Sequence, residues 1–557
     1  MKKIIAMLLC LVTAVSLFAG CNGGGKNNGG NGGGANGDKV VLTIGLPQNM
    51  LVEDYETNAY TKWLEAQTGY DLQFYYFPAG ADAQTKLNSL ILDDEVLPDI
   101  LWNMGLNEDT FVSYGETGYF ADLTEYYNDK EKSKIFWERM AELPESQQAT
   151  VLEALKSDDG KFYATARIEN SDVDPIDYQV YINKTWLDKL NLDMPTDQAS
   201  LEKVLKAFRD KDPNGNKQKD EIPLIGSNSG SSDVASWLIN MYTYTGASWW
   251  NVDANGKLYS PYTTNEYREG LKYVYKLIED KLLHQSSFTM SAGNLMSQIC
   301  TADGTVKVGI WVGHPSLVLE EEHPAVKEYE ALPLWSASVI NNQFCNPRTF
   351  ITNYCKNKDA AWNLLMLMHT KESAYRQRYG EKGVDWVDAD AGEKSFMGKD
   401  AEIKIINDVW STVNNACWNV IDSTILTNAE NEACQLSDDL SDVYLKKMQI
   451  MGDCTKAYYK SAEKYNPKVL VPTLSRTEKE AKDTYNFRNN TTKFINAARQ
   501  AFCTGGPLDF GDGKTNLSSA DPFNNSHWNA YLKRLKETGI EEWLAVDQAV
   551  YDRQVKG

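Results

Sequence analysis

Between Lys39 and Trp102 three strand-like runs alternate with two helix-patterned stretches, and this alternation restricts the possible folds more than any other feature of the chain. "KVVLTIGLP" (39–47) is β-branched and of strand length, and "LQFYYF" (72–77) and "DILW" (99–102) read the same way. Tyr60, Trp63 and Leu64 fall at helical spacing, and "TKLNSLIL" (85–92) predicts a second helix that cannot continue through Pro98. Such a rhythm predicts a parallel sheet with helices on both faces. Ligands of these sheets sit beyond the carboxyl ends of the strands, where Trp102 and Asn103 stand. The rhythm returns with strands at "DYQVYIN" (177–183), "IPLIGS" (222–227) and "VKVGIWVG" (306–313). Helices marked by Leu201, Val204, Leu205, Phe208 and by Leu271, Val274, Ile278, Leu282 lie between them. The expectation is two α/β units with interleaved segments, followed beyond Asp359 by a mainly helical extension.

The chain opens with Lys2 and Lys3, an apolar run too short to span a membrane stably, and small residues before Cys21. This predicts an export signal over 1–20, and the small-residue-cysteine junction resembles a bacterial lipobox, so Cys21 is expected to carry lipid. Residues 21–38, rich in Gly and Asn, predict a flexible tether. No other stretch is long and apolar enough to span a bilayer, so the membrane is met only through the lipid anchor. The net charge of −21 argues against nucleic acid and favours a neutral or cationic ligand, although a few arginines in a cleft can reverse the local potential. Of nine cysteines, seven follow Cys21; with no C-x-x-C pair they predict mostly reduced, buried thiols and at most one bridge.

"DPNGNKQKDE" (212–221) crowds oxygen-bearing side chains into ten residues. Asp212, Asn214, Asn216 and Asp220 stand at positions one, three, five and nine of a calcium-loop spacing, the carbonyl of Gln218 takes the seventh, and Glu221 can replace the absent twelfth-position carboxylate. The glycine is fourth rather than sixth, and a strand follows rather than a helix, so a plain helix-to-strand turn is the alternative.

Several segments together resemble the extracellular solute-binding proteins of family 1, lipoproteins that deliver carbohydrates to ABC importers. "LPDILWNMG" (97–105) resembles their strand with a ligand-facing aromatic. The run 178–224, "DANGKLYSPYTTNEYREGLKYVYKLIEDKLL" (253–283) and "RYGEKGVDW" (378–386) resemble the long-chain Gram-positive branch, whose version of the 212–221 loop is associated with calcium. The resemblance implies a two-lobed type II α/β fold of the periplasmic-binding-protein kind, with hinge crossings between interleaved lobes. Carried onto this chain, the first lobe is 39–165 plus 297–350 and the second 166–296 plus 351–557. It also implies a monomer on the extracellular face of the membrane, structural Ca2+, and ABC permease subunits as partners.

Sugars offer flat C–H faces and many hydroxyls, so aromatic platforms and polar groups at strand ends are candidate ligand residues. These are Trp102 and Asn103; Tyr242, Tyr244, Trp249 and Trp250; Trp311 and His314; Trp335; and Arg348, a bidentate donor near the expected hinge. Each aromatic has core packing as its alternative. Trp362, Trp410 and Trp543 fall in helical patterns and read as core. No H-E-x-x-H, G-x-S-x-G or complete P-loop appears, so the expectation is reversible capture of an oligosaccharide without catalysis. A sugar sensor signalling to a kinase would use the same clamp, and a secreted carbohydrate-active enzyme is the more distant alternative.

Overall fold

The computed structural model describes residues 39–556 except 80, 158–159, 170–177, 229, 247–248, 316–318, 320–322, 333–344, 411–412, 466–468, 473, 475 and 512–515. Cys21 and Trp335 lie outside the described residues. Two sheets organise the chain from Val40 onward. In the first, β1 (Val41–Pro47) pairs in parallel with β2 (Asp71–Phe77) and with β3 (Ile100–Trp102). Leu42, Ile44 and Leu46 are buried on one face of β1, while Gly45 lets Pro98, Leu101 and Phe77 close over the other. A Cβ at Gly45 would meet Pro98 at 2.8 Å. The strand pattern of β4 (Thr165–Glu169), later in the chain, completes this side of the molecule.

In the second sheet, β5 (Val180–Asn183) and β6 (Ile222–Ile225) flank β7 (Val308–Val312), with β8 (Tyr329–Ala331) on the outer side of β5. The chain then returns to the first sheet through β9 (Cys345–Ile351) and β10 (Thr424–Leu426), giving the order β10-β4-β9-β3-β1-β2. The alternation read from the sequence is therefore present, and the fold is the two-lobed α/β type.

The segment assignment needs correction. Residues 297–350 were expected in the first lobe, but β7 and β8 pair with β5 and β6 in the second sheet, and only β9 returns. Residues 351–557 were expected in the second lobe, yet helix Lys358–Met368 packs Trp362, Leu364 and Leu365 into the first core and β10 pairs with β4. The C-terminal helices do join the second core, through Val443, Ile450, Phe494, Ile495, Phe502 and Trp543. An apolar strand carries no mark of which partner it will pair with, so the sequence cannot say where the chain crosses back.

The region after Asp359 is also less helical than expected. A three-stranded sheet forms from Trp386–Asp388, Ile403–Ile405 and Cys434–Leu436. Strands of three residues are too short to show a period. Trp410 stands in a loop, its indole donating to the Arg378 carbonyl at 2.6 Å, whereas Trp362 and Trp543 are core as expected. The seven cysteines after the tether are free thiols, six of them buried. Among the described residues no helix is long and apolar enough to cross a membrane.

Candidate functional site

Strand directions fix which edges of the two sheets correspond. β9 runs antiparallel to both β3 and β4, so β4 ends, and β9 begins, at the carboxyl edge of β1 and β3. In the second sheet β5 is antiparallel to β7 while β6 is parallel to it, and β8 is antiparallel to β5. Hence β5 begins, and β8 ends, at the carboxyl edge of β6 and β7. The passages from β4 to β5 and from β8 to β9 therefore both join the carboxyl edge of one sheet to that of the other, which is the ligand edge of such sheets.

The first-sheet edge concentrates strained backbone and orphaned polar atoms. Asn103 (φ 51°), Asn419 (φ 52°) and Ser423 (φ 45°) adopt left-handed conformations that non-glycine residues keep only when their surroundings hold them there. The Asn103 amide donates to the Arg348 carbonyl at 3.0 Å, and Asn49 Nδ2 donates to the Asn419 carbonyl at 3.1 Å. Trp102 Nε1, Asn419 Nδ2 and Asp422 Oδ2 are buried without a hydrogen-bond partner. Such groups are costly unless something satisfies them, and they cluster at functional sites.

The edge is also charged. Arg167 Nε donates to Glu169 Oε2 at 2.7 Å, and its Nη2 reaches the same oxygen. Burial pushes the Asp422 carboxyl up to about 7, against the pull of Arg348 and Arg167. Burial also pushes Glu169 up, but Arg167, Arg378 and Arg348 outweigh it and hold the group below the usual carboxylate range. Burial lowers the Arg348 guanidinium while Asp422 opposes that shift.

The predicted ligand residues divide sharply. Asn103 and Arg348 stand at the first-sheet edge, and His314 follows β7 at the second-sheet edge, half-buried. Trp102 and Trp311, expected as sugar platforms, are instead core: Trp102 is 2% exposed and lies edge-on against Trp418 at 5.0 Å, and Trp311 is wholly buried between Tyr181 at 4.5 Å and Tyr329 at 5.7 Å. A ring sealed by protein on both faces has none left for a ligand.

The Tyr242 to Trp250 cluster is likewise engaged in contacts within the protein. Tyr242 accepts from Gln198 Nε2 at 2.9 Å, and Tyr244 is buried. Trp249 packs against Tyr262 at 5.4 Å, while Trp250 stacks edge-on with Trp543 at 4.7 Å and donates to Asp547 Oδ2 at 2.6 Å. Trp249 and Trp250 fasten helix Ile540–Lys556 to the second core, while Tyr242 packs against Tyr273. Sequence reasoning missed Arg167, Glu169 and Asp422; a polar run ending in an apolar strand, "VIDSTIL" (420–426), was the one local signal for Asp422.

The 212–221 loop folds as its spacing suggests. Asp212 (φ 47°), Gly215 (φ 76°) and Lys217 (φ 63°) take left-handed conformations that wind it tightly. Asn214 Oδ1 accepts from the Asn216 amide at 3.0 Å, Asn216 Oδ1 from the Gln218 amide at 2.7 Å, and Asp212 Oδ2 from the Lys217 amide at 3.1 Å. Asp212 Oδ1 and Glu221 Oε1 are buried without donors, and burial followed by the charges of Asp212 and Asp220 raises the Glu221 carboxyl. Lys307 Nζ lies 3.0 Å from Asp220 Oδ2. Among the described residues no three His, Cys, Asp or Glu side chains converge on one point. A mixed set of carboxylate, amide and carbonyl oxygens is nevertheless what a hard cation takes, and the orphaned acceptors fit one.

No protein-family model matches the chain. The fructooligosaccharide ABC transporter substrate-binding protein FusA of Streptococcus pneumoniae is 21% identical over 512 residues, covering 88% of this chain and 86% of FusA. Lipoprotein LipO of Bacillus subtilis is 24% identical over 285 residues, covering 51% of this chain and 52% of LipO. Among solved structures, an HMO-binding ABC-transporter-associated solute-binding protein from Bifidobacterium longum infantis superposes with a TM-score of 0.72 at 20% identity, over 93% of this chain and 99% of that one. FusA in complex with kestose superposes at 0.70 and 18% identity, over 92% and 99%, and a further FusA structure is that of an EF-hand mutant. FusA is a substrate-binding protein and the Bifidobacterium protein a solute-binding protein.

Proposed function

We propose that this chain, a relative of ABC transporter substrate-binding proteins with their two-lobed fold, captures an oligosaccharide between the carboxyl edges of its two sheets and delivers it to the permease subunits of an importer. The observation that carries the reading is topological: both passages between the sheets start and end at those edges. Rotation of one sheet relative to the other brings those edges together without repacking either sheet, so closure holds the ligand and no bond in it need break. Asn103, Arg348 and Asp422 supply polar groups on the first side and His314 on the second. A lipid on Cys21 and the 22–38 tether keep the monomeric protein at the extracellular face of the membrane, within reach of the permease.

Calorimetric titration with a broad panel of oligosaccharides is expected to find at least one that binds and is recovered unchanged. Turnover of a bound sugar, or silence across the panel alongside tight binding of a peptide, would overturn the reading.

The 212–221 loop holds calcium through Asp212, Asp220, Glu221, the amide oxygens of Asn214 and Asn216 and the Gln218 carbonyl. The bound ion supplies the positive charge that Asp212 Oδ1 and Glu221 Oε1 face without a donor. It thereby braces helix Gln198–Asp210 against β6. At free calcium a thousandfold above its dissociation constant, the ion stabilises the fold by about 4 kcal/mol. EDTA is therefore expected to lower the melting temperature by several degrees, with restoration by calcium; a curve indifferent to EDTA would return the loop to a plain turn.

A further inference from the structure

We infer that the captured oligosaccharide carries a carboxylate, as a uronic-type sugar acid does, and that Arg348 receives it; this rests on the oligosaccharide reading above. Four other arginines drawn into the protein hold a carboxylate: Arg139 binds Glu430 at 2.7 Å, Arg167 binds Glu169, Arg476 binds Asp547 at 2.6 Å and Arg499 binds Asp233 at 2.8 Å, while Arg378 lies over the Trp410 ring at 5.3 Å. Arg348 is half-buried at the ligand edge and makes no side-chain hydrogen bond or ion pair with any described residue. A guanidinium that has given up part of its hydration without a partner has five donors in a planar fork, a shape that matches a carboxylate bidentately.

Among the described residues Asn419 Nδ2, at this edge, is a donor buried without an acceptor, and Asp422 Oδ2 is an acceptor without a donor that a hydroxyl of the same sugar can satisfy. A carboxylate only accepts, so it can satisfy unpartnered N–H groups without adding a donor of its own, whereas a sugar hydroxyl brings one. Charge points the same way. Among the described residues Arg167, Arg348 and Arg378 share their field with Glu169 and Asp422, three cations against two acids. That excess stands on a chain whose net charge is −21, so it is local to this edge and matches one singly charged group.

The test titrates the full chain with trimers of galacturonate, glucuronate and mannuronate, and with their carboxyl-reduced, neutral counterparts. One acid is expected to bind at least about tenfold more tightly than its reduced form, with the preference shrinking at about 0.5 M salt. Arg348→Gln should abolish the preference while keeping the melting temperature, and Arg348→Lys should restore only part of it. Reduced trimers binding as tightly as the acids, or a preference that survives Arg348→Gln, would overturn the inference and leave the oligosaccharide reading standing. A preference of the wild type that does not respond to salt would also overturn it. If no saccharide of either kind binds, in these or in the broad panel, the oligosaccharide reading falls and the inference with it.

Discussion

Asp547→Ala is expected to destabilise the protein by about 3–5 kcal/mol, the cost of leaving a buried charge without its partner. The carboxylate is wholly buried and accepts three hydrogen bonds: Arg476 Nε at 2.7 Å, Arg476 Nη2 at 2.6 Å and Trp250 Nε1 at 2.6 Å. The Arg476 side chain is only 12% exposed, so water cannot replace the lost acceptor well. Three distant pieces of chain meet there: the segment before helix Glu478–Thr504, the Trp250 region, and helix Ile540–Lys556. Asp547→Asn keeps one acceptor oxygen but loses the charge, so its loss should fall between wild type and alanine. Chemical denaturation measures both; a loss below about 1 kcal/mol for alanine would mean that Arg476 finds another acceptor.

Trp102→Ala and Trp311→Ala are each expected to cost about 3–5 kcal/mol of stability, the usual range for removing a large aromatic from a core. Trp311 is the more instructive, because its ring fills the second sheet between Tyr181 and Tyr329 and no neighbour can shift without disturbing β5 or β8. Trp311→Phe should recover most of the loss, since it keeps an apolar ring and removes an Nε1 that has no partner. Variants of normal melting temperature but weakened sugar binding would restore both rings to the ligand. The groove residues predict the opposite pattern, with Arg348→Gln changing selectivity more than stability.

Much of the candidate site was legible only as a choice between readings. Trp102 and Trp311 follow strand patterns and precede polar residues, and an aromatic at a strand end has the same sequence appearance whether it stacks on a sugar or on another tryptophan. Trp418 decides the matter for Trp102, and it lies far along the chain from it. Asn103 was readable as a candidate because a polar residue just after a strand has few structural uses, and Arg348, inside β9, because a guanidinium near the expected hinge is a bidentate donor. The meeting of Arg348 with Arg167 and Asp422 was not, because strand pairing and a later loop bring them together.

By itself the sequence determined what depends on neighbours along the chain. The strands β1, β2, β3, β5, β6 and β7 and the helices between them follow from hydrophobic period, and the winding of the 212–221 loop follows from the spacing of Asp212, Asn214, Asn216 and Asp220 around a glycine. Tertiary structure alone decided which sheet β7, β8, β9 and β10 joined, which aromatics were sealed, and which arginines found a carboxylate among the described residues. The physical reason is common to all three. Period and turn chemistry are fixed by interactions within a few residues, whereas pairing, burial and ion pairing are settled by contacts between segments far apart in the chain, such as Trp250 with Asp547, and an apolar strand is equally suited to several partners until the whole core closes.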